Sequence, residues 1–332
     1  MRGLLETQRM YNEEMPQTVQ QDRPISGLPV NTDLLFADKN GNYKPSIEKK
    51  RTKLLRKLGF LDNFLDEDEQ IVFVTTGCSP ASFFEQYTIG YLWIMLIKRA
   101  FFVFTNKRIL HIPTTMKFEY RGSIAQILYQ DCQQLFVKGS TLHAQYRTGK
   151  KESFFGIPRS DGAIIRRMNI AAPEPAVPSA RPERSHLCPN CAQVQDAKPS
   201  TCPCCGLAFK TSAEALKYSI LFPGGGYFYV KRPGLGALDA VGECYLSVIT
   251  LIALVGTALG NPEAPAIFVA FGVVLALEKL LTIYHAQKFV DEFIPKASAP
   301  FATRREAPPG QPSAPAPQPE RKQTLEQVLS LR

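Results

Sequence analysis

Phe101-Phe-Val-Phe-Thr105-Asn106-Lys107-Arg108-Ile-Leu-His-Ile112 is two apolar runs separated by two polar residues. The aromatic and β-branched residues in both runs favour extended chain, and Asn106 tolerates the left-handed conformation of a two-residue hairpin turn. Moving outward, Gln70 to Thr75 is a similar run, bounded by Gly77 and Pro80. Downstream, Leu135 and Val137 alternate with polar neighbours, as do Leu142, Ala144 and Tyr146, and Lys138-Gly139-Ser140 supplies the turn between them. A last strand is expected near Ser153 to Ile157, followed by a helix that the Ser160 side chain would cap. Many short strands followed by one helix predict a small antiparallel barrel or sandwich with its open end plugged.

Tyr87 to Ile97 is apolar and contains Trp93. It runs only eleven residues before Lys98-Arg99, well short of the roughly 20 needed to cross a bilayer as a helix, and it reads as a buried strand. Upstream, Lys49, Lys50, Arg51, Lys53, Arg56 and Lys57 share a segment with Leu54, Leu55, Leu58, Leu61 and Leu65 at helical spacing, which predicts a basic amphipathic helix. Residues 1–45 are polar, carry Pro16, Pro24 and Pro29, and are expected to be disordered. The first residues lack the apolar core of a signal peptide.

Phe102 to Ile112 resembles the central hairpin of pleckstrin-homology-like domains of the GRAM and bacterial type, and Asp66-Glu67-Asp68-Glu69-Gln70-Ile71 resembles the acidic lead into their first strand. The resemblance covers about a third of the chain and implies a PH-like domain over residues 46–170. Such domains carry lipid, protein or no known ligand, so the fold alone assigns no function. Lys98, Arg99, Lys107, Arg108 and Arg121 form the candidate surface for anionic lipid or a protein partner, against the plainer reading of a solvated hairpin tip.

Five of the eight cysteines fall between positions 188 and 205. That clustering suits a reducing compartment with one metal site better than a disulfide framework. Cys188-Pro-Asn-Cys191 and Cys202-Pro-Cys-Cys205-Gly206 are two knuckles whose four thiolates can surround one zinc ion tetrahedrally. They resemble zinc-ribbon modules, here over residues 187–210. Four sulfurs leave no open coordination position, so the Zn2+ is expected to be structural, with Cys204 facing away and His186 the weaker alternative ligand. Lys198 is the only basic residue between Cys188 and Cys205, and no aromatic residue lies there to stack a base, which speaks against nucleic acid as a partner.

Residues 171–186, with Pro173, Pro175, Pro178 and Pro182, read as a semi-rigid linker that lets the strand-rich domain reorient. Residues 211–234 are juxtamembrane. Within them Leu221 to Tyr229 resembles the Pro-Gly-x-Gly-x-x-Tyr entry turn of small bacterial membrane proteins, with Tyr227, Phe228 and Tyr229 suited to the interfacial aromatic belt. Two apolar runs follow in residues 235–290, at about 241–259 and 265–284, joined by Gly260-Asn261-Pro262-Glu263-Ala264. Each is long enough to cross a bilayer. The turn between them has no Lys or Arg, whereas Lys231, Arg232 and Lys288 flank the outer ends, which predicts two spans with both termini cytosolic, in the bacterial inner membrane. Glu243 and the Glu278-Lys279 pair are read as edge residues that snorkel toward the cytosolic face. Residues 291–332 are a Pro/Ala-rich tail, ending in a Thr324/Gln327 capping box.

The formal charge of +9 suits an anionic membrane surface. None of the four histidines stands in a catalytic motif, and no nucleotide fingerprint occurs. The sequence thus predicts a multidomain α+β membrane protein without enzymatic activity: a PH-like β domain closed by a C-terminal helix, a zinc ribbon and a transmembrane α-helical hairpin. Its expected role is that of a membrane-anchored adaptor or scaffold binding a protein partner. The alternative is an anionic-lipid-sensing or lipid-handling protein.

Overall fold

The computed structural model describes residues 25–168, 170, 182–195 and 199–297. Residues 1–24, most of the proline-rich linker, Lys198 and the tail with Thr324 and Gln327 lie outside the described residues. Two short N-terminal helices, α1 (Thr32–Leu35) and α2 (Pro45–Arg56), precede β1 (Ile71–Cys78). Helices α3 (Phe83–Ile89) and α4 (Tyr91–Ile97) lead into β2 (Arg99–Thr105), β3 (Arg108–Pro113) and β4 (Ile124–Leu128). Then come β5 (Cys132–Lys138), β6 (Thr141–Tyr146), β7 (Lys151–Phe154), α5 (Arg159–Arg167), β8 (Ser185–Leu187) and β9 (Val194–Gln195). The described residues continue with α6 (Ser212–Leu221), α7 (Gly225–Tyr229) and two long helices, α8 (Pro233–Ala258) and α9 (Ala264–Val290).

The Phe101–Ile112 hairpin forms β2 and β3, in register from Phe104 opposite Ile109 to Ala100 opposite Pro113. Its turn works differently from expectation. Asn106 is not left-handed; its side chain instead accepts from Gln70 N at 3.0 Å and donates to Asp68 O at 2.9 Å, binding the acidic lead to the turn. Thr105 Oγ1 accepts the Lys107 and Arg108 amides.

The strands do not close into a barrel. They make an antiparallel sheet in the order β1-β2-β3-β4-β8-β9 and a separate sheet β5-β6-β7. The larger sheet is covered on both faces. Phe101, Val103, Leu110 and Ile112 pack against Leu28, Val30, Leu35, Leu55, Leu58 and Leu61. Phe102, Phe104 and Ile109 pack against Leu142, Tyr146 and Phe154 of the small sheet and Ile164 and Ile165 of α5. Burial of both faces is why β2 and β3 read as unbroken apolar runs rather than alternating ones.

Three further expectations are corrected. Residues 25–45 are folded: Val30 bridges Ile71, and the buried Leu28, Leu35 and Phe36 supply the sheet with apolar cover that their polar neighbours masked in the sequence. Tyr87 to Ile97 is helical, not a buried strand. Ser82 and Glu85 form a capping box that starts α3, and Gly90 at φ +85° breaks it from α4. Helix α5 begins one residue before Ser160, after Pro158, so Ser160 does not cap it.

Helices α8 and α9 are long and apolar enough to cross a membrane. In their most apolar stretches only 11% and 6% is buried against protein, whereas the core hairpin of a soluble protein would be covered. Leu238, Val241, Ile252, Leu259, Val269 and Leu280 are each at least 62% exposed. Before α8, the Pro223-Gly224-Gly225-Gly226 stretch is a packing device as much as a bend. A Cβ on Gly224, Gly225 or Gly226 would lie 2.1–2.2 Å from Gly236 O, Tyr218 O or Ser219 Oγ respectively.

Candidate metal centre and its attachments

Cys188, Cys191, Cys202 and Cys205 converge so that one sulfur from each lies within 4.8 Å of the others. Cys188 and Cys205 sulfurs are 3.5 Å apart, Cys191 and Cys202 sulfurs 3.7 Å apart, and all four are free thiols. Four sulfurs about 2.3 Å from a central zinc ion would be separated by roughly 3.8 Å, so the donor set fits a tetrahedral metal. The first knuckle closes through Ala192 N donating to Cys188 O, and the second through Gly206 N donating to Cys202 O, with Gly206 at φ +72°. Gln195 Nε2 approaches Cys202 Sγ at 3.5 Å. Cys204 is exposed and outside the cluster.

The ribbon is built into its surroundings on two sides. Strand β8 pairs with β4 (Ile124 opposite Leu187, Gln126 opposite Ser185), so the cluster is a continuation of the large sheet. That overturns the expectation of a domain held off the ribbon and free to reorient. On the other side, Phe209 bridges Pro295, and Lys210 N donates to Ile294 O at 2.9 Å. The segment after α9 therefore lies along the ribbon. Lys210 is half-buried there with its ammonium on Tyr229 O, and loss of solvent, then the nearby Lys231 charge, pull its pKa down to about 8. Arg121 Nη2 donates to Lys231 O at 2.8 Å, and the Ser123 hydroxyl to Glu292 O, which ties the β3–β4 loop to the same end of the long helices.

Of the five cations in the candidate surface, two are buried. Lys98 is 7% exposed and pairs with Glu85 at 2.5 Å beneath Pro80 O. Arg108 is 9% exposed and grips Glu69 with two nitrogens, at 2.9 and 2.6 Å, while also donating to Gln126 and Phe64 O. Lys107 stays near solvent between Asp66 and Asp68. Arg99 donates to Met116 O and stands over Phe118, and Arg121 holds the loop just described. The five do not assemble into one exposed basic patch: Lys107 and Arg108 pair with carboxylates of the Asp66–Glu69 lead, Lys98 with Glu85 of α3, and Arg99 and Arg121 with backbone carbonyls.

A second polar cluster lies where α8 and α9 begin and end. Glu243 is 1% exposed; its Oε2 accepts Lys279 Nζ at 2.6 Å and Gly224 N at 3.2 Å. Lys279 also donates to Ser219 O, and Thr282 Oγ1 donates to Asp239 at 3.0 Å. Asp239, Glu243 and Glu278 bring carboxylate oxygens within 4.8 Å of one another. Glu243 and Lys279 therefore turn inward rather than snorkelling outward, fastening α6 and the glycine turn to both long helices. Asp239 and Thr282 are not among the residues expected here from sequence. The signal was there: Asp239 with Glu243, and Glu278 with Thr282, are four apart and share a helix face. Tyr227 likewise leaves the expected aromatic belt, burying its hydroxyl on His285 Nδ1 at 2.8 Å.

No protein family, characterised protein or solved structure matches the chain.

Proposed function

We propose that this chain is a membrane-anchored cytosolic adaptor, in which a PH-like sheet domain presents a protein-binding surface at a fixed height above the bilayer. In this reading α8 and α9 span the bacterial inner membrane with both termini cytosolic. Cys188, Cys191, Cys202 and Cys205 hold one structural zinc ion. The observation that carries the proposal is the position of the ribbon, paired with the sheet through β8 and with the post-α9 segment through Phe209. A metal cross-link at that junction suits a rigid mount better than a flexible tether. The binding surface is assigned to the outer face of the small sheet, where Phe136 is 40% exposed and stacks on His143 at 5.0 Å. The lipid-sensing alternative is weakened by the burial of Lys98 and Arg108.

Site-specific photo-crosslinking from position 136 in native membranes tests the proposal. A discrete protein adduct that disappears with His143→Asp is expected, and adducts with lipid alone would favour the alternative. Labelling of single cysteines at positions 262 and 310 should place them on opposite sides of the membrane; the same side for both would end the two-span reading.

A further inference from the structure

The apolar surface of α3 and α4 is not accounted for by the anchor or by the sheet. Phe83 is 84% exposed, Tyr87 81%, Leu92 76%, Tyr91 55% and Trp93 49%. These side chains fall within eleven residues whose single charge, Glu85, is buried against Lys98. The exposed face thus carries no charge at all. The elbow is also fixed in place. Thr88 Oγ1 lies 2.9 Å from His285 Nε2, and Phe84 meets the Tyr284 ring edge-on at 5.2 Å. At its other end Arg232, which immediately precedes α8, donates to Ile97 O. The elbow is therefore docked on α9 and on the residue that leads into α8, at the same end of the two long helices.

That end is where the apolar run of α9 stops. Lys288 sits one turn beyond Tyr284, with Nζ 5.8 Å from the Tyr284 ring, about 6 Å further along the axis. Tyrosine, tryptophan and a basic residue at the end of an apolar helix mark the headgroup level of a bilayer. We propose that the α3–α4 elbow is an interfacial anchor, with Phe83, Tyr87, Tyr91, Leu92 and Trp93 entering the lipid headgroup layer beside α9. The occupant is lipid because the patch is continuous with the lipid-facing surface of α9 through Phe84 and Tyr284. Amphipathic Tyr and Trp suit that layer, where one end of the ring is apolar and the other wet. The elbow rests on the two-span reading and deepens it: it would fix the tilt of the cytosolic module as well as its height.

Trp93 is the only tryptophan, so emission from the full chain excited selectively at tryptophan, away from tyrosine absorption, reports on the elbow alone. The purified chain is reconstituted in vesicles of phosphatidylcholine and phosphatidylglycerol, some carrying a nitroxide label near the headgroup and others one at the acyl-chain end. The expected result is blue-shifted emission, quenched several-fold more by the shallow label than by the deep one, and poorly quenched by aqueous iodide. Tyr87→Glu with Leu92→Glu should restore iodide quenching and abolish quenching by the shallow label. Water-like emission open to iodide would overturn the proposal. So would blue-shifted emission insensitive to either label, since a second copy of the chain would then be the cover. Alkaline carbonate extraction separates the two levels. A chain released by carbonate fails the two-span reading, whereas a retained chain with water-exposed Trp93 fails the elbow alone.

Discussion

The imidazole of His186 lies flat on the ring of Phe293, 4.3 Å between centroids and 22° from parallel. His186 belongs to β8, next to the first knuckle, and Phe293 belongs to the segment leaving α9. Phe209 meets the same ring edge-on at 6.0 Å. Phe293 holds φ +55°, a left-handed conformation that costs an aromatic residue energy unless its surroundings enforce it. Two ring contacts supply that enforcement.

Removing either the rings or the metal should therefore loosen the same joint. Phe293→Ala is expected to cost about 1–3 kcal/mol, the sum of two aromatic pairs, and to raise proteolysis near residues 291–297. Zinc analysis should give one ion per chain, lost on replacing any one of Cys188, Cys191, Cys202 or Cys205 and kept in Cys204→Ser. Chelation should reproduce the proteolytic signature of Phe293→Ala. Retention of metal in Cys205→Ser would refute the ligand set.

Arg108 should behave as a structural residue. Arg108→Ala strands Glu69, which is fully buried, and is expected to cost about 3–5 kcal/mol. Arg108→Lys should recover little, because one ammonium cannot replace the two-nitrogen grip. Lys107→Ala, at the exposed turn, should cost ~1 kcal/mol or less. Thermal melts of the detergent-solubilised chain decide this; equal effects at 107 and 108 would contradict it.

Acid should destabilise the sheet through His111. The ring is buried between Ser79 Oγ at 2.9 Å and Arg184 Nη1 at 3.4 Å, with Glu152 paired to the same arginine and His186 nearby. Loss of solvent, and then the positive charge of Arg184, hold its pKa well below the usual value. The folded chain keeps His111 neutral while the unfolded chain protonates near pH 6.5. Stability is then complete above about pH 7.5 and falls by up to ~1.4 kcal/mol per pH unit below about 6.5. Denaturation midpoints of wild type and His111→Gln between pH 5 and 8 should diverge on the acid side, and parallel curves would exclude this histidine as the cause.

The Glu243–Lys279 pair should show strong coupling. Lys279→Met leaves a buried carboxylate without its cation and is expected to cost about 3–5 kcal/mol. Adding Glu243→Met should return much of that loss, since an apolar pair meets no such penalty. A double variant as unstable as the sum of the singles would mean that the two residues act separately.

Three features were legible in the chain itself: the four clustered thiols, the two long apolar helices and the β2–β3 hairpin. Each depends on local geometry: two cysteines on one turn, a run long enough to match a bilayer, two extended runs with a short connection. The remaining features needed partners distant in sequence. Arg108 lies 39 positions from Glu69, Lys279 lies 36 from Glu243, and Thr88 lies 197 from His285. No local pattern says whether a cation will meet solvent or a carboxylate from another element. The segment from Tyr87 to Ile97 shows the limit most clearly. A short apolar run suits a buried strand or a helix equally well. Here the Ser82–Glu85 capping box and docking against α9 made it helical, leaving its aromatic face outward because protein already covers the other side.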